Sequence, residues 1–354
     1  MTSIDAAREV RPVAVRPARL RLRWWAVGLG ALAGAMLLGV MTGPVALSPG
    51  AIAGELLDRL PFLSVDSGLS EQQAAILMQI RLPRVVLGAL VGAMLSIAGA
   101  AYQGAFRNPL ADPYLLGAAA GAGLGATLAI AYGNAGQGLI PLAAFGGALA
   151  AVALAYSVGR SSTGRTATTL ILAGIAIASF LTAVQTYVQQ RESETLRQVY
   201  SWILGRLGTA GWSEVLLALP YIVGTSAVIL LHRRHLDVLS VGDEEADSLG
   251  LDARRVRAIV IVAASLGTAA AVAVSGLIGF VGIIVPHTVR LVAGASYRVI
   301  LPLSLAFGAA FMILADLLGR TVAAPAELPI GVVTAFFGAP FFALALRSSK
   351  RFMP

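Results

Sequence analysis

The chain has 354 residues, of which 57% are hydrophobic and 12% are charged, about half the charged share of a soluble protein. This composition excludes an ordinary soluble domain, and the lack of cysteine excludes disulfides, thiol catalysis and cysteine-ligated metals. The net charge of +8 is typical of basic cytoplasmic loops in a membrane protein, and we expect no nucleic-acid partner.

The N-terminal segment, residues 1–23, contains six arginines and no long apolar run, which predicts a basic cytoplasmic tail. The run from Trp24 to Gly43 is long enough to cross a bilayer, so we expect a retained first span instead of a cleaved signal peptide. Further apolar stretches follow, and each predicts a span. These stretches lie at residues 83–104, 114–132, 138–158, 167–189, 213–231, 256–275, 277–293, 300–318 and 329–346.

The pattern as a whole predicts an all-α, polytopic membrane protein with about ten transmembrane helices. Placing the N-terminus in the cytoplasm puts most of the 26 lysine and arginine residues on the cytoplasmic side, so the N- and C-termini are both expected to be cytoplasmic. We therefore predict one transmembrane domain over residues 24–347 and a cytoplasmic tail at 348–354. The stretches 114–132 and 277–293 are short and glycine-rich, which is typical of the broken helices that line transport pathways.

Two segments between the spans carry further predictions. Residues 190–211 have apolar side chains at helical spacing, which predicts a surface helix on the outer side. The inner loop at about 232–257 is the most charged part of the chain, and His232 and His235 within it flank two arginines, which indicates a loop. His287 stands alone in an apolar span, so we expect it to pack or hydrogen-bond, and no metal site is predicted.

Three mechanisms compete for such a chain: ion coupling, a channel, and a permease driven by a separate ATPase. Ion coupling is disfavoured because the span centres are almost bare of ionisable groups, and Asp316 is expected to pair with Arg320 at an i,i+4 spacing. The chain has no P-loop, and its single lysine, Lys350, follows no glycine-rich loop. An ATP-driven mechanism therefore requires another chain. A membrane scaffold without transport of its own remains a further alternative.

Four motifs carry a specific resemblance. The first, from Arg81 to Ala126, reads RLPRVVLGALVGAMLSIAGAAYQGAFRNPLADPYLLGAAAGAGLGA, and the second, from Gly276 to Val292, reads GLIGFVGIIVPHTVRLV. The third begins at Ala326 and reads AELPIGVVTAFFGAPFFALAL, and the fourth is GDEEADSLGLD in the inner loop. Together they closely resemble the FecCD-type permeases, the membrane subunits of ABC importers for iron-siderophores, haem and cobalamin. The resemblance covers nearly the whole chain after about residue 24.

This resemblance implies a set of partners. The permease would pair with a second permease subunit, as a homo- or heterodimer, and two cytoplasmic ABC ATPase subunits would dock beneath it. A substrate-binding protein would deliver cargo from outside, and the assembly would lie in the bacterial cytoplasmic (inner) membrane. ATP and Mg would be bound by the partner ATPase, so we expect no cofactor and no catalytic residue in this chain. An iron-siderophore is the favoured cargo, with cobalamin and haem as alternatives.

The resemblance also assigns a docking role to three arginines. Arg81 and Arg84 belong to the R-L-P-R motif at the outer mouth, and Arg320 lies at the outer end of the ninth span. In the family, such arginines meet acidic residues of the binding protein, and exposed opposite charges would orient that partner. Contact with lipid headgroups is the alternative.

A second implied group forms an inner gate. Asn108, Pro109 and Leu110 follow the second span, where Pro109 prevents a continuous helix. Similar permeases close the pathway with this motif and with the start of the fifth span, near Thr168. An ordinary Asn-Pro turn is the alternative interpretation.

The third implied group is an ATPase-coupling loop at residues 236–255. Its central segment is predicted to form a short amphipathic helix with glycines at both turns, and a solvated charged loop is the alternative. In the family this loop is gripped by the ATPase. The positions that match best are Gly242, Glu244, Ala246, Leu249, Gly250 and Leu251.

Overall fold

A computed structural model describes residues 20–60, 62, 65–133, 138–161, 167–208 and 211–349. The predicted terminal tails lie almost entirely outside these residues. Within the described ranges, all regular secondary structure is helical. The helices are α1 Leu22–Met41, α2 Pro49–Asp58, α3 Glu71–Ala75, α4 Leu82–Phe106, α5 Ala118–Tyr132, α6 Leu139–Ser161, α7 Ala167–Arg191, α8 Leu196–Ile203, α9 Trp212–Leu231, α10 Arg233–Leu239, α11 Asp243–Ser248, α12 Ala253–Ser275, α13 Val281–Ala293, α14 Tyr297–Thr321 and α15 Ile330–Ser349.

In the part of the chain that the structure describes, seven helices are long and apolar enough to cross a membrane. They are α1, α4, α6, α7, α9, α12 and α14, with α3 joined to α4 by a π-helical segment, Ile76–Arg81. The shorter apolar helices α5, α13 and α15 occupy the three remaining predicted positions. An all-α multi-pass membrane protein is thereby confirmed, and each predicted span corresponds to one helix.

The helices α5 and α13 are short because irregular segments precede them. Residues 107–117 follow α4, and residues 276–280 separate α12 from α13. Gly282, at the start of α13, packs against Pro113 of the first irregular segment and against the backbone of α4 near Leu95. The chain therefore turns back into the bundle before α5 begins, as the short, glycine-rich runs predicted.

Tyr114 supplies hydrogen bonds that the interruption between α12 and α13 would otherwise lack. Its hydroxyl donates to the Ile278 carbonyl oxygen at 3.0 Å and accepts from the Ile278 amide at 3.2 Å. Backbone polar groups inside a bilayer have no water to bond. One side chain from the first irregular segment thus stabilises the second.

We expect the Tyr114→Phe variant to be less stable than the wild type by about 1–3 kcal/mol, because it leaves the Ile278 amide and carbonyl without this partner. Thermal unfolding in detergent, followed by circular dichroism, measures the difference. Tyr200→Phe is the matched control, since Tyr200 is 53% exposed. Equal stability of the two variants would show that the Tyr114 hydroxyl contributes nothing.

The helices α4, α13 and α14 pack closely against one another. Glycines bring their backbones together: Gly92 of α4 faces Gly308 of α14, and Gly99 of α4 faces Gly282 of α13. A Cβ atom on Gly92 or Gly99 would overlap the facing backbone. Membrane helices commonly use small residues for such close approach, so the glycine-rich composition has a direct structural cause.

The segment at residues 190–211 was predicted correctly as a helix, whereas the segment that contains His232 and His235 was not. The predicted surface helix is present as α8, which buries Trp202, and its position on the outer side stays a prediction. The loop interpretation for the histidines is wrong, because His235 lies inside α10 and His232 directly precedes it. The physical reason is that Leu236 and Leu239 are fully buried and form the inner face of this helix.

His287 packs edge-on against Phe341 of α15, with the ring centroids 5.8 Å apart. This contact is the packing role expected for it. In the described ranges, no group of three or more histidine, aspartate or glutamate side chains is arranged to hold a metal ion.

Candidate functional site

A buried ion-pair network lies at the predicted outer end of the bundle. Arg84 of α4 donates from Nη2 and Nε to Asp316 of α14, at 2.8 and 3.0 Å. It also donates from Nη1 and Nη2 to the two carboxylate oxygens of Glu327, each at 2.9 Å. The Asp316 side chain is 6% exposed, whereas that of Glu327 is 51% exposed. Arg84 therefore joins one buried and one accessible carboxylate.

Hydrogen bonds from Arg84 lower the pKa of Glu327 below its usual value. A carboxyl group whose pKa is lowered on folding contributes stability above its unfolded pKa, and that contribution is lost as pH falls through the folded pKa. At neutral pH Glu327 is therefore ionised, and it forms an ion pair with Arg84.

The other two arginines bind the end of the first helix. Arg81 donates to the backbone carbonyls of Val40 and Met41 at 3.2 and 3.3 Å, and Arg320 donates to the carbonyl of Gly39. These carbonyls belong to the last turn of α1, where intrahelical donors are missing. Cations near a helix C-terminus also interact favourably with its dipole.

The prediction that these arginines are exposed is wrong. Arg81 is 3% exposed and Arg84 is 9% exposed, because carbonyl and carboxylate acceptors on other helices compensate the desolvated guanidinium groups. Docking by these arginines stays a prediction. The expected pair of Asp316 with Arg320 is present at 3.8 Å, but Arg84 is the closer partner of Asp316.

The sequence interpretation missed Glu327 altogether. The residue stands second in the AELPIG motif, so a signal was present. Its partner Arg84 lies 243 residues earlier in the chain. No local spacing rule relates two positions so far apart.

The residues predicted to form the inner gate lie at the opposite end of α4. The Asn108 side chain accepts a hydrogen bond from the Leu110 amide at 2.9 Å, which closes a tight turn after the helix. Pro109 and Leu110 are exposed, and Thr168 is exposed in the first turn of α7. The turn is present as the alternative interpretation requires, and the gating role stays a prediction.

The coupling loop is helical at its centre, as predicted. Its backbone turns at Gly242 and Gly250, with φ of +157° and +80°, a region that glycine adopts without steric cost. Ala246 is fully buried, whereas Leu249 is 72% exposed. Glu244 is also exposed.

The six predicted coupling residues therefore divide into two groups. Gly242, Ala246 and the half-buried Leu251 shape the loop and anchor it to the bundle. Those that remain accessible to a partner are Glu244, Leu249 and Gly250.

Ion pairs fasten the coupling loop to the spanning helices. Asp243 accepts from Arg257 of α12 at 2.6 Å, and Arg257 also donates from Nε to the Ala105 carbonyl of α4 at 2.8 Å. The hydrogen bond from Arg257 lowers the pKa of Asp243. Asp237 accepts from the Tyr297 amide and the Ser296 hydroxyl at the start of α14, at 2.6 and 2.8 Å. A displacement of the loop therefore reaches α4, α12 and α14 directly.

The helix α7 is largely uncovered in this chain, as is α1. Only 17% of its apolar stretch is buried, compared with 78% for α4 and for α14. Exposed polar side chains recur along it every three or four residues, at Ser179, Thr182, Thr186 and Gln190. The hydroxyls of Ser179 and Thr186 donate to carbonyl oxygens of their own helix, each at 2.9 Å, and the row lies on a face that the isolated chain leaves uncovered.

The long apolar helices, the irregular segment at residues 107–117 and the fastened inner loop together are features of a membrane-spanning transport permease. The comparison with known proteins specifies the family. The chain belongs to the FecCD transport family, whose model matches residues 31–348.

The relatives include import permeases from bacteria and archaea. The chain is 43% identical over 283 residues to the cobalamin import system permease protein BtuC of Halobacterium salinarum, covering 80% of this chain and 76% of that protein. It is 37% identical over 305 residues to the Fe(3+)-citrate import system permease protein YfmD of Bacillus subtilis, covering 86% and 90%.

One solved structure matches nearly the whole fold. It is an inward-facing conformation of a protein described as a metal-chelate type ABC transporter, with a TM-score of 0.82 and 28% identity. The match covers 93% of this chain and 100% of that one.

Proposed function

We propose that this protein is the membrane-spanning permease subunit of an ABC importer in a bacterial cytoplasmic membrane. The observation that carries the proposal is the coupling loop, which exposes Leu249 while Asp237 and Asp243 fasten it to three spanning helices. A partner that binds the exposed part of this loop and displaces it would also displace the spanning helices to which the loop is bonded. ATP and Mg are assigned to that partner, a separate ATPase subunit present in two copies.

The uncovered face of α7 supports pairing with a second permease subunit. The polar row from Ser179 to Gln190 would line a pathway between the two subunits, with water or cargo on the open side. An extracytoplasmic binding protein delivers the cargo at the end that carries Arg84 and Glu327.

An iron chelate, such as a ferric siderophore, is the proposed cargo. The relative from Bacillus subtilis is named for Fe(3+)-citrate and the matching structure is described as a metal-chelate transporter. Cobalamin is the second candidate because the relative from Halobacterium salinarum is named for it, and haem is a further alternative. An ion-coupled transporter is disfavoured, since the buried Asp316 is fully engaged with Arg84 and Arg320.

The test is reconstitution in liposomes with an ABC ATPase and an extracytoplasmic binding protein from the same organism. We expect ATP hydrolysis to rise when the binding protein is loaded, and ferric siderophore to accumulate inside only with ATP. Cobalamin and haem are assayed in parallel to decide the cargo. Failure of any ATPase to associate with the chain would favour a scaffold, and uptake driven by an ion gradient without ATP would favour a coupled carrier.

A further inference from the structure

The two carboxylates on Arg84 differ in how readily they can leave. Asp316 lies inside α14, and its side chain is 6% exposed. Glu327 lies in the segment between α14 and α15, and its side chain is 51% exposed. An exposed carboxylate regains solvation when it separates from its partner, whereas a buried one does not. Glu327 is therefore the exchangeable ligand of the guanidinium.

An open cleft gives access to this pair. Its volume is about 360 Å³, and its lining includes Arg84, Arg206, Gly208 and Glu327. Gly208 leaves the space in which the pair lies, because a Cβ atom there would be 3.0 Å from Glu327 Oε2 and 3.3 Å from Arg84 Nη1. Arg206 is exposed beside it. A carboxylate that entered the cleft would meet two arginines.

We infer that Glu327 is an internal substitute for an acidic side chain of the extracytoplasmic binding protein. When that protein docks, its carboxylate displaces Glu327 from Arg84 and takes over the same hydrogen bonds, while Asp316 holds the guanidinium in place. The exchange leaves no buried charge without a partner, so it avoids the desolvation cost of exposing an empty site. This inference rests on the proposed function, because it requires a docking protein on this face.

This exchange of carboxylates explains how Arg84 can be buried in the free permease and still take part in docking. An arginine without a carboxylate would have to remain hydrated or be destabilised in the free permease. Glu327 accepts the hydrogen bonds of Arg84 in the free permease, and the carboxylate of the binding protein accepts them in the complex. Glu327 weakens binding of the partner, because the apparent dissociation constant is the intrinsic constant divided by the fraction of molecules in which Glu327 has left Arg84.

The test is the affinity of the purified permease–ATPase complex in nanodiscs for the binding protein that supports transport in the reconstituted system. Glu327→Gln removes the competing charge and keeps the side-chain shape, so the binding protein should bind roughly tenfold more tightly. Glu194→Gln is the matched control, because Glu194 is exposed on the same predicted outer side and the variant changes the net charge equally. We expect less than a twofold change for it.

Two further variants make the outcome decisive. Glu327→Asp keeps the charge on a shorter side chain and should bind with an affinity between those of the wild type and Glu327→Gln. Arg84→Lys combined with Glu327→Gln should lose the gain. Unchanged or weaker binding by Glu327→Gln, or an equal gain in Glu194→Gln, overturns the inference while the importer assignment stands. Absence of binding to the wild type overturns the binding-protein part of the proposed function and the inference with it.

Discussion

We expect the Leu249→Asp variant to fold normally and to lose nearly all transport. The side chain is 72% exposed in the coupling loop, so the substitution removes no contact within the chain. Loss of a side chain that anchors a protein interface costs about 2 kcal/mol or more, which corresponds to roughly a 30-fold loss of association. ATP-dependent uptake in liposomes and co-purification of the ATPase measure the two effects.

Leu251 is a less suitable position for this test. It packs against the core, so an aspartate there would also disturb the bundle. Ser248→Asp adds the same charge one residue earlier and leaves Leu249 in place, and it should retain most of the transport. If Leu249→Asp transports at the wild-type rate, the coupling assignment is wrong.

The second large effect is expected on stability. Arg84→Leu leaves Asp316 buried with Arg320 at 3.8 Å as its only ion-pair partner in the part of the chain that the structure describes. Removing one member of a buried ion pair typically costs about 3–5 kcal/mol. We expect a comparable loss in the free energy of unfolding. Arg206→Leu, which removes an exposed arginine near the same cleft, should cost less than about 0.5 kcal/mol.

A double variant separates charge imbalance from packing. Arg84→Leu with Asp316→Leu replaces the closest buried ion pair by apolar side chains and leaves Arg320 with the Gly39 carbonyl as its acceptor, so it should recover part of the stability lost in Arg84→Leu. Denaturant titration in detergent compares the three proteins. Equal stability of Arg84→Leu and Arg206→Leu would mean that the network stabilises nothing. The double variant also provides a folded protein in which docking can be measured without Arg84.

The features predicted well are those that depend on near neighbours in the sequence. Each span is a continuous apolar run, and the turns at Gly242 and Gly250 follow from glycine's access to positive φ. The pair of Asp316 with Arg320 follows from helical spacing. In each of these cases the physical cause lies within a few residues, so the prediction and the structure agree.

The features missed are contacts between distant segments. Arg84 is bound by residues 232 and 243 positions away, and Arg81 is bound by the end of α1. A positive-inside count assigns both arginines to the outer surface but cannot reveal that neighbouring helices cover them. Likewise, the apolar runs indicate that α12 and α13 are separate, but not that Tyr114 bonds to the backbone between them.

The glycine contacts among α4, α13 and α14 restrict where the molecule can change shape. With backbones in direct contact, these helices have no space to slide past one another, since a tightly packed interface changes by discrete steps and not by small adjustments. Helix α7 makes one such contact, where Gly174 lies against the backbone of Leu115, but most of its surface is uncovered. We therefore expect mutations to separate by phenotype: those at the glycine contacts should reduce the amount of folded protein in the membrane, and those on the uncovered face of α7 should alter the rate at which each folded molecule turns over.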